Sequence, residues 1–171
     1  MKITYKALIL LNSLIVSSNL YSADNITLNF TGNIKASTCN LVGGDNIDID
    51  LNKISAGVLS NAGSGSVWKT FDISLNNCSP YINQVKLTFT GTVDTADANS
   101  LYKNQGTAKN LAIQLQNGNG TTALGHQKIL QVPLNGQTSI NIPLRTRAFS
   151  SLGNATPGTV LANITATITY L

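Results

Sequence analysis

Glutamate is missing from this chain, and charge of either sign is scarce. Its seven acids are all aspartate, and only 11% of the 171 residues are charged. There is one histidine, His126, and one tryptophan, Trp68, and the cysteines number two. A single histidine without a neighbouring acid cluster leaves general acid–base and nucleophilic chemistry without partners. No G-x-S-x-G elbow and no helix-opening phosphate loop with its lysine is present. A zinc site needs four closely spaced ligands, and none are spaced that way. The aspartates Asp45, Asp48 and Asp50 lie close together, but the EF-hand spacing and its closing glutamate are absent. The sequence therefore predicts no catalytic residue, no metal site and no cofactor. Lysine and arginine are scattered singly, which excludes an electrostatic footprint for nucleic acid, and nothing points to a small-molecule substrate.

Long apolar runs are also lacking. Ala7–Val16 is the longest candidate, broken by Asn12 and Ser13 and well short of the ~20 residues of a spanning helix. With Lys2 and Lys6 before it and small polar residues after it, residues 1–22 read as a secretory signal peptide rather than an anchor. Cleavage after Ser22 or after Ala23 fits equally. Without those two lysines the formal charge falls from +4 to +2, so the pI of about 9.2 reflects few acids rather than a basic patch. In an exported chain, two cysteines beyond the leader, Cys39 and Cys78, read as one structural disulfide; the C-x-x-C spacing of a redox pair is absent.

What is abundant is alternation. Ile26–Ile34, Ile47–Leu51, Phe71–Leu75, Val85–Phe89, Leu111–Leu115, Leu130–Leu134, Ile140–Leu144 and Ala162–Tyr170 each place apolar residues at every second position, the mark of strands buried on one face. Asn/Gly-rich stretches separate them. Asn135-Gly136 predicts a hairpin turn, and a short helical turn is the expectation near Ala96–Tyr102. His126 is expected in an exposed loop, and Trp68 in core or edge packing. Seven or eight short strands in one domain predict an all-β, immunoglobulin-like sandwich.

Two further patterns lie at the ends. Ile26, Leu28, Phe30, Gly32 and Ile34 share one face of an early segment, and Ile164, Ala166, Ile168 and Tyr170 share one face of the last. Gly32 stands seven positions before Cys39, and Gly158 is fourteenth from the end. Together with Cys39 and Cys78, Phe89-Thr90-Gly91-Thr92 and the penultimate Tyr170, these features resemble the pilins of the chaperone–usher pathway over essentially the whole mature chain. The stretches Tyr102–Ala108 and around Trp68 look most like a minor adaptor subunit of type 1 fimbriae, with the major rod subunit as the near alternative.

The resemblance implies a sandwich lacking its final strand and completed in trans by donor-strand complementation. It implies a donor extension over residues 23–36, with Ile26, Leu28, Phe30, Gly32 and Ile34 as the donated side chains. A pilin domain would follow over 37–171, whose acceptor groove and chaperone-binding face comprise Gly158, Ile164, Ala166, Ile168, Tyr170 and Leu171. The implied partners are neighbouring fimbrial subunits, a periplasmic chaperone and an outer-membrane usher, with export through the periplasm to a fimbrium on the cell surface. A stand-alone secreted immunoglobulin-like module that binds carbohydrate or protein is the competing reading.

Overall fold

The computed structural model describes residues 27–32 and 38–171. The chain divides into two units, residues 1–34 and 35–171. In the first, residues 27–32 form neither helix nor strand, and all six are exposed. The expected leader and the side chains of Ile26 and Ile34 lie outside the described residues.

The second unit is an antiparallel two-sheet sandwich. One sheet runs β1 (Asn40–Leu41), β3 (Lys69–Asn76), β8 (Ile140–Ser150), β6 (Ala112–Asn117), β5 (Leu101–Lys103), with β2 (Ser64–Gly65) also on β8. The other runs β7 (Ile129–Pro133), β4 (Gln84–Gly91), β9 (Ile164–Tyr170). The alternation explains the burial. Val85, Leu87 and Phe89 of β4 point inward and are sealed from solvent, as are Leu75 of β3 and Ile142 and Leu144 of β8. They meet between the sheets in one apolar cluster that includes Ile113, Leu115 and the Cys39–Cys78 disulfide. Each large side chain buried there is worth about 1.5–3 kcal/mol.

Several expectations are corrected. Near Ala96–Tyr102 the expected helical turn is a single one and grows into no helix: the Asp97 carbonyl accepts from the Ser100 and Leu101 amides at 3.3 and 2.9 Å. The side chains of Asp94 and Asp97 accept hydrogen bonds from the amides two residues on, Ala96 and Asn99, each at 2.9 Å. These Asx turns compete with helix and feed directly into β5. The only helical element among the described residues is a 3-10 turn at Ala56–Leu59. Asn135 and Gly136 do make a tight turn, with φ of +50° and +76°. The strands it joins, however, lie in different sheets, so it is a corner between sheets rather than a hairpin. His126 is half-buried, not exposed, and its Nδ1 accepts from the Gly91 amide at 3.3 Å.

Residues 47–51 carry a strand pattern, yet they form no ladder with any described residue. Ile49 and Leu51 are partly buried while Asp48 and Asp50 face solvent. The side chains obey the alternation, but among the described residues no strand lies beside the backbone.

Candidate strand-binding groove

β9 pairs only with β4 among the described residues, from Gly91–Ile164 to Val85–Tyr170. The register settles where its polar groups point. Leu171 exchanges both main-chain hydrogen bonds with Gln84, at 2.9 and 3.0 Å. In an antiparallel ladder such pairs recur every second residue. Thr165, Thr167 and Thr169 therefore bond to β4, while the N–H and C=O groups of Ile164, Ala166, Ile168 and Tyr170 face the unpaired edge. These same four residues turn their side chains toward the core and are partly buried. Each thus offers one apolar side chain and two unpaired backbone groups to the same space.

That space is a groove of about 1010 Å³. One wall is residues 158–168, the other is residues 45–54, and Phe71, Ile73, Phe89, Ile113, Leu115 and Leu144 lie along it. Alanine at 162 and 166 alternates with isoleucine at 164 and 168, so the wall is uneven in depth. The lining is apolar inside and flanked by Asp45, Asp48 and Asp50 outside. A stable sandwich normally covers such apolar surface, and an uncovered strand edge is a template for another strand.

The predicted acceptor residues fall on this groove or at its ends. Ile164, Ala166 and Ile168 line it. Tyr170 stands past its end, where its Oη donates to the Cys39 carbonyl at 3.3 Å, and burial raises its pKa above the usual phenol value. Leu171 extends the β4 ladder: its carbonyl accepts from the amides of Asn83 and Gln84 at 2.8 and 3.0 Å, and its side chain is exposed. Gly158 lines the other end with φ of +155°, and a Cβ there would run into the backbone of Ala108. The cysteines bridge Cys39, just before β1, to Cys78, just after β3, and both are buried.

The predicted donor residues look different. Leu28 and Phe30 are 71% and 91% exposed. Gly32 needs no positive φ, and a Cβ on it would meet no atom within 4 Å. Neither conformation nor described packing within this chain requires glycine at that position.

Away from the groove, sequence reasoning missed one cluster. Arg145 and Arg147 both lie over the Trp68 ring, at 4.2 and 4.3 Å from its centroid. Gln116 accepts from Arg145 and Gln114 from Arg147, on the outer side of β6. The spacing of the two arginines on one strand was the available signal. Among the described residues no group of acids, histidines and cysteines could hold a metal ion, and no helix is long and apolar enough to cross a membrane.

Comparison with known proteins agrees with this geometry. The family model described as "Fimbrial protein" matches residues 28–171. The S-fimbrial adhesin protein SfaS of Escherichia coli O6:K15:H31 (strain 536 / UPEC) is 38% identical, covering 96% of this chain and 98% of that protein. Protein FimG of Escherichia coli K12 is 34% identical, over 99% of both chains. Among solved structures, the P pilus rod subunit PapA superposes with a TM-score of 0.66 at 25% identity, covering 79% of this chain and all of that one. The P pilus adaptor subunit PapF superposes at 0.53 and 20% identity, covering 81% of this chain, which speaks for the fold alone. The chain belongs to the fimbrial protein family and is a structural subunit of chaperone–usher fimbriae.

Proposed function

We propose that the groove between β9 and residues 45–54 receives a strand from a neighbouring subunit, and that this subunit gives away its own residues 23–36 in the same manner. The observation that carries the reading is the unpaired β9 edge, where Ile164, Ala166, Ile168 and Tyr170 offer apolar side chains and free backbone groups together. An added strand gains main-chain hydrogen bonds along such an edge and specificity from alternate side chains. On this reading Ile26, Leu28, Phe30, Gly32 and Ile34 are the donated positions. A periplasmic chaperone covers the groove before assembly and holds Leu171, and an outer-membrane usher is the place of exchange. Residues 1–22 direct export and residues 37–171 form the pilin domain. No step requires enzymatic chemistry.

Within the fimbria, the adaptor position is the reading carried by the resemblance of Tyr102–Ala108 and of the segment around Trp68. The rod position draws support from the likeness to the P pilus rod subunit PapA. Self-polymerisation of the purified chain into long fibres would select the rod reading, and short assemblies that end without a second subunit type the adaptor one.

The test uses a peptide with the sequence of residues 25–36. Added to the full chain, it should bind and raise the unfolding midpoint. A chain that is stable alone and gains nothing from the peptide overturns the proposal. In the peptide, Gly32→Leu should abolish binding; made in the full chain, the same change should leave the subunit folded, because Gly32 has open space around it.

A further inference from the structure

The β4–β9 ladder stops at Gly91–Ile164, yet the groove wall continues upstream through Val160 and Ala162. Another segment must hold that part of the wall, and it is the loop that follows β5. The Gln105 amide donates to the Leu161 carbonyl at 2.7 Å, and the Ala108 amide to that of Thr159 at 3.1 Å. The Leu161 amide in turn donates to the side-chain Oδ1 of Asn104 at 2.8 Å. A carboxamide here stands where the peptide group of a paired strand would stand.

Asn104 is used fully. Its Oδ1 accepts from Leu161 and from the Gly106 amide at 3.1 Å, while Nδ2 donates to the carbonyls of Ala108 and Thr159 at 2.9 and 3.3 Å. That exhausts the two donors and two acceptor sites of an amide side chain. Thr107 and Thr159 add a reciprocal pair, each amide donating to the other's hydroxyl at 3.0 and 2.8 Å. Gly106 and Gly158 permit the close approach, since a Cβ on either would overlap the opposite backbone. With Thr159 and Leu161 bonded to the loop, extended geometry turns the backbone groups of Val160 and Ala162 the other way, toward the groove.

We propose that Asn104 is a positioning residue for strand entry: it fixes the end of the groove wall beyond β4 before any occupant arrives. The inference rests on the strand-acceptor reading above. Asn104 touches no incoming strand; it acts through Leu161 and Thr159. Its effect therefore belongs to the empty groove. Once a strand lies alongside Val160 and Ala162, that strand supports the wall itself.

The experiment follows association and dissociation of the labelled peptide of residues 25–36 on the full chain. Asn104→Ala removes four hydrogen bonds at one site, and a net loss near 1.4 kcal/mol in the entry-ready state is about tenfold in rate. Asn104→Ala is expected to slow association about tenfold and leave dissociation within about twofold. Thr107→Val, which removes one hydroxyl from the same clasp while keeping its shape, should slow association by less and equally spare dissociation. Unchanged association in both variants overturns the inference, and so does dissociation that accelerates as much as association slows, which is what general loosening produces. A wild-type chain that takes up no peptide overturns instead the acceptor reading on which this rests.

Discussion

Replacing both Cys39 and Cys78 by alanine should cost the domain about 4 kcal/mol. The bridge joins residues 39 apart in sequence. Closing a loop of that length removes about 13 cal/mol/K of entropy from the unfolded chain, which is about 4 kcal/mol at 25 °C. Alanine is the right replacement because both positions are buried, and serine would add two hydroxyls needing partners. The loss is large against the ~5–15 kcal/mol of a typical domain. It also has a local component. β1 is only two residues long, so little besides the bridge pins Cys39, whose carbonyl accepts from Tyr170 at the end of the groove. Urea unfolding of the full chain, with and without the alanines, is the assay. At an m-value of about 1–3 kcal/mol/M the midpoint should fall by roughly 1.3–4 M. A loss under about 1 kcal/mol, with m unchanged, would refute the loop-entropy argument for this bridge.

Tyr102→Phe should cost about 1–3 kcal/mol, because it strands the buried Leu124 carbonyl to which Oη donates at 2.9 Å. Burial pushes the Tyr102 pKa well above its usual value. With the folded value above the unfolded one, its contribution is intact below about pH 10 and declines as pH rises past it, by up to about 1.4 kcal/mol per pH unit. The phenylalanine variant should lose that part of the alkaline slope and keep a residue from Tyr170; an unaltered slope would show that Tyr102 does not carry it. Ala166→Phe puts a ring into the groove at one of its two shallowest wall positions. Peptide binding should weaken at least tenfold (about 1.4 kcal/mol) with the thermal midpoint of the free chain unchanged, and wild-type binding would mean that the strand does not pass Ala166.

Where one face of a strand is buried and the other wet, the sequence displays it, and β3, β4, β6, β7 and β9 all lie where their alternation predicts. β8 runs six residues past its last predicted position, Leu144, because its remaining inward residues are Thr146, Ala148 and Ser150. The burial of Thr146 and Ser150 depends on partners rather than apolarity: Thr146 donates to the Gln114 carbonyl at 2.9 Å, and Ser150 donates to that of Asn110. β5 was hidden by its length of three residues and by the Asx turns before it. Asn135-Gly136 shows the limit of turn chemistry, which specifies a reversal but not which sheet each arm joins. The clasp at Asn104 could not be read at all, since it joins groups 55 and 57 residues apart through a side-chain amide.

The two features that sequence and structure disagree on most have one explanation. Among the described residues, 47–51 alternate like a strand and have no ladder, and β9 alternates like a central strand and pairs on one side only. Each is satisfied in its side chains and deficient in its backbone, and the two deficiencies face each other across the same groove. Such alternation fits positions that are buried in the assembled molecule, and on the proposed reading both segments carry the imprint of a strand between them. Gly32 carries the complementary imprint. Its conformation is open to any residue and a Cβ on it would meet no atom within 4 Å, so on the proposed donor reading its missing side chain answers to a surface that is not its own.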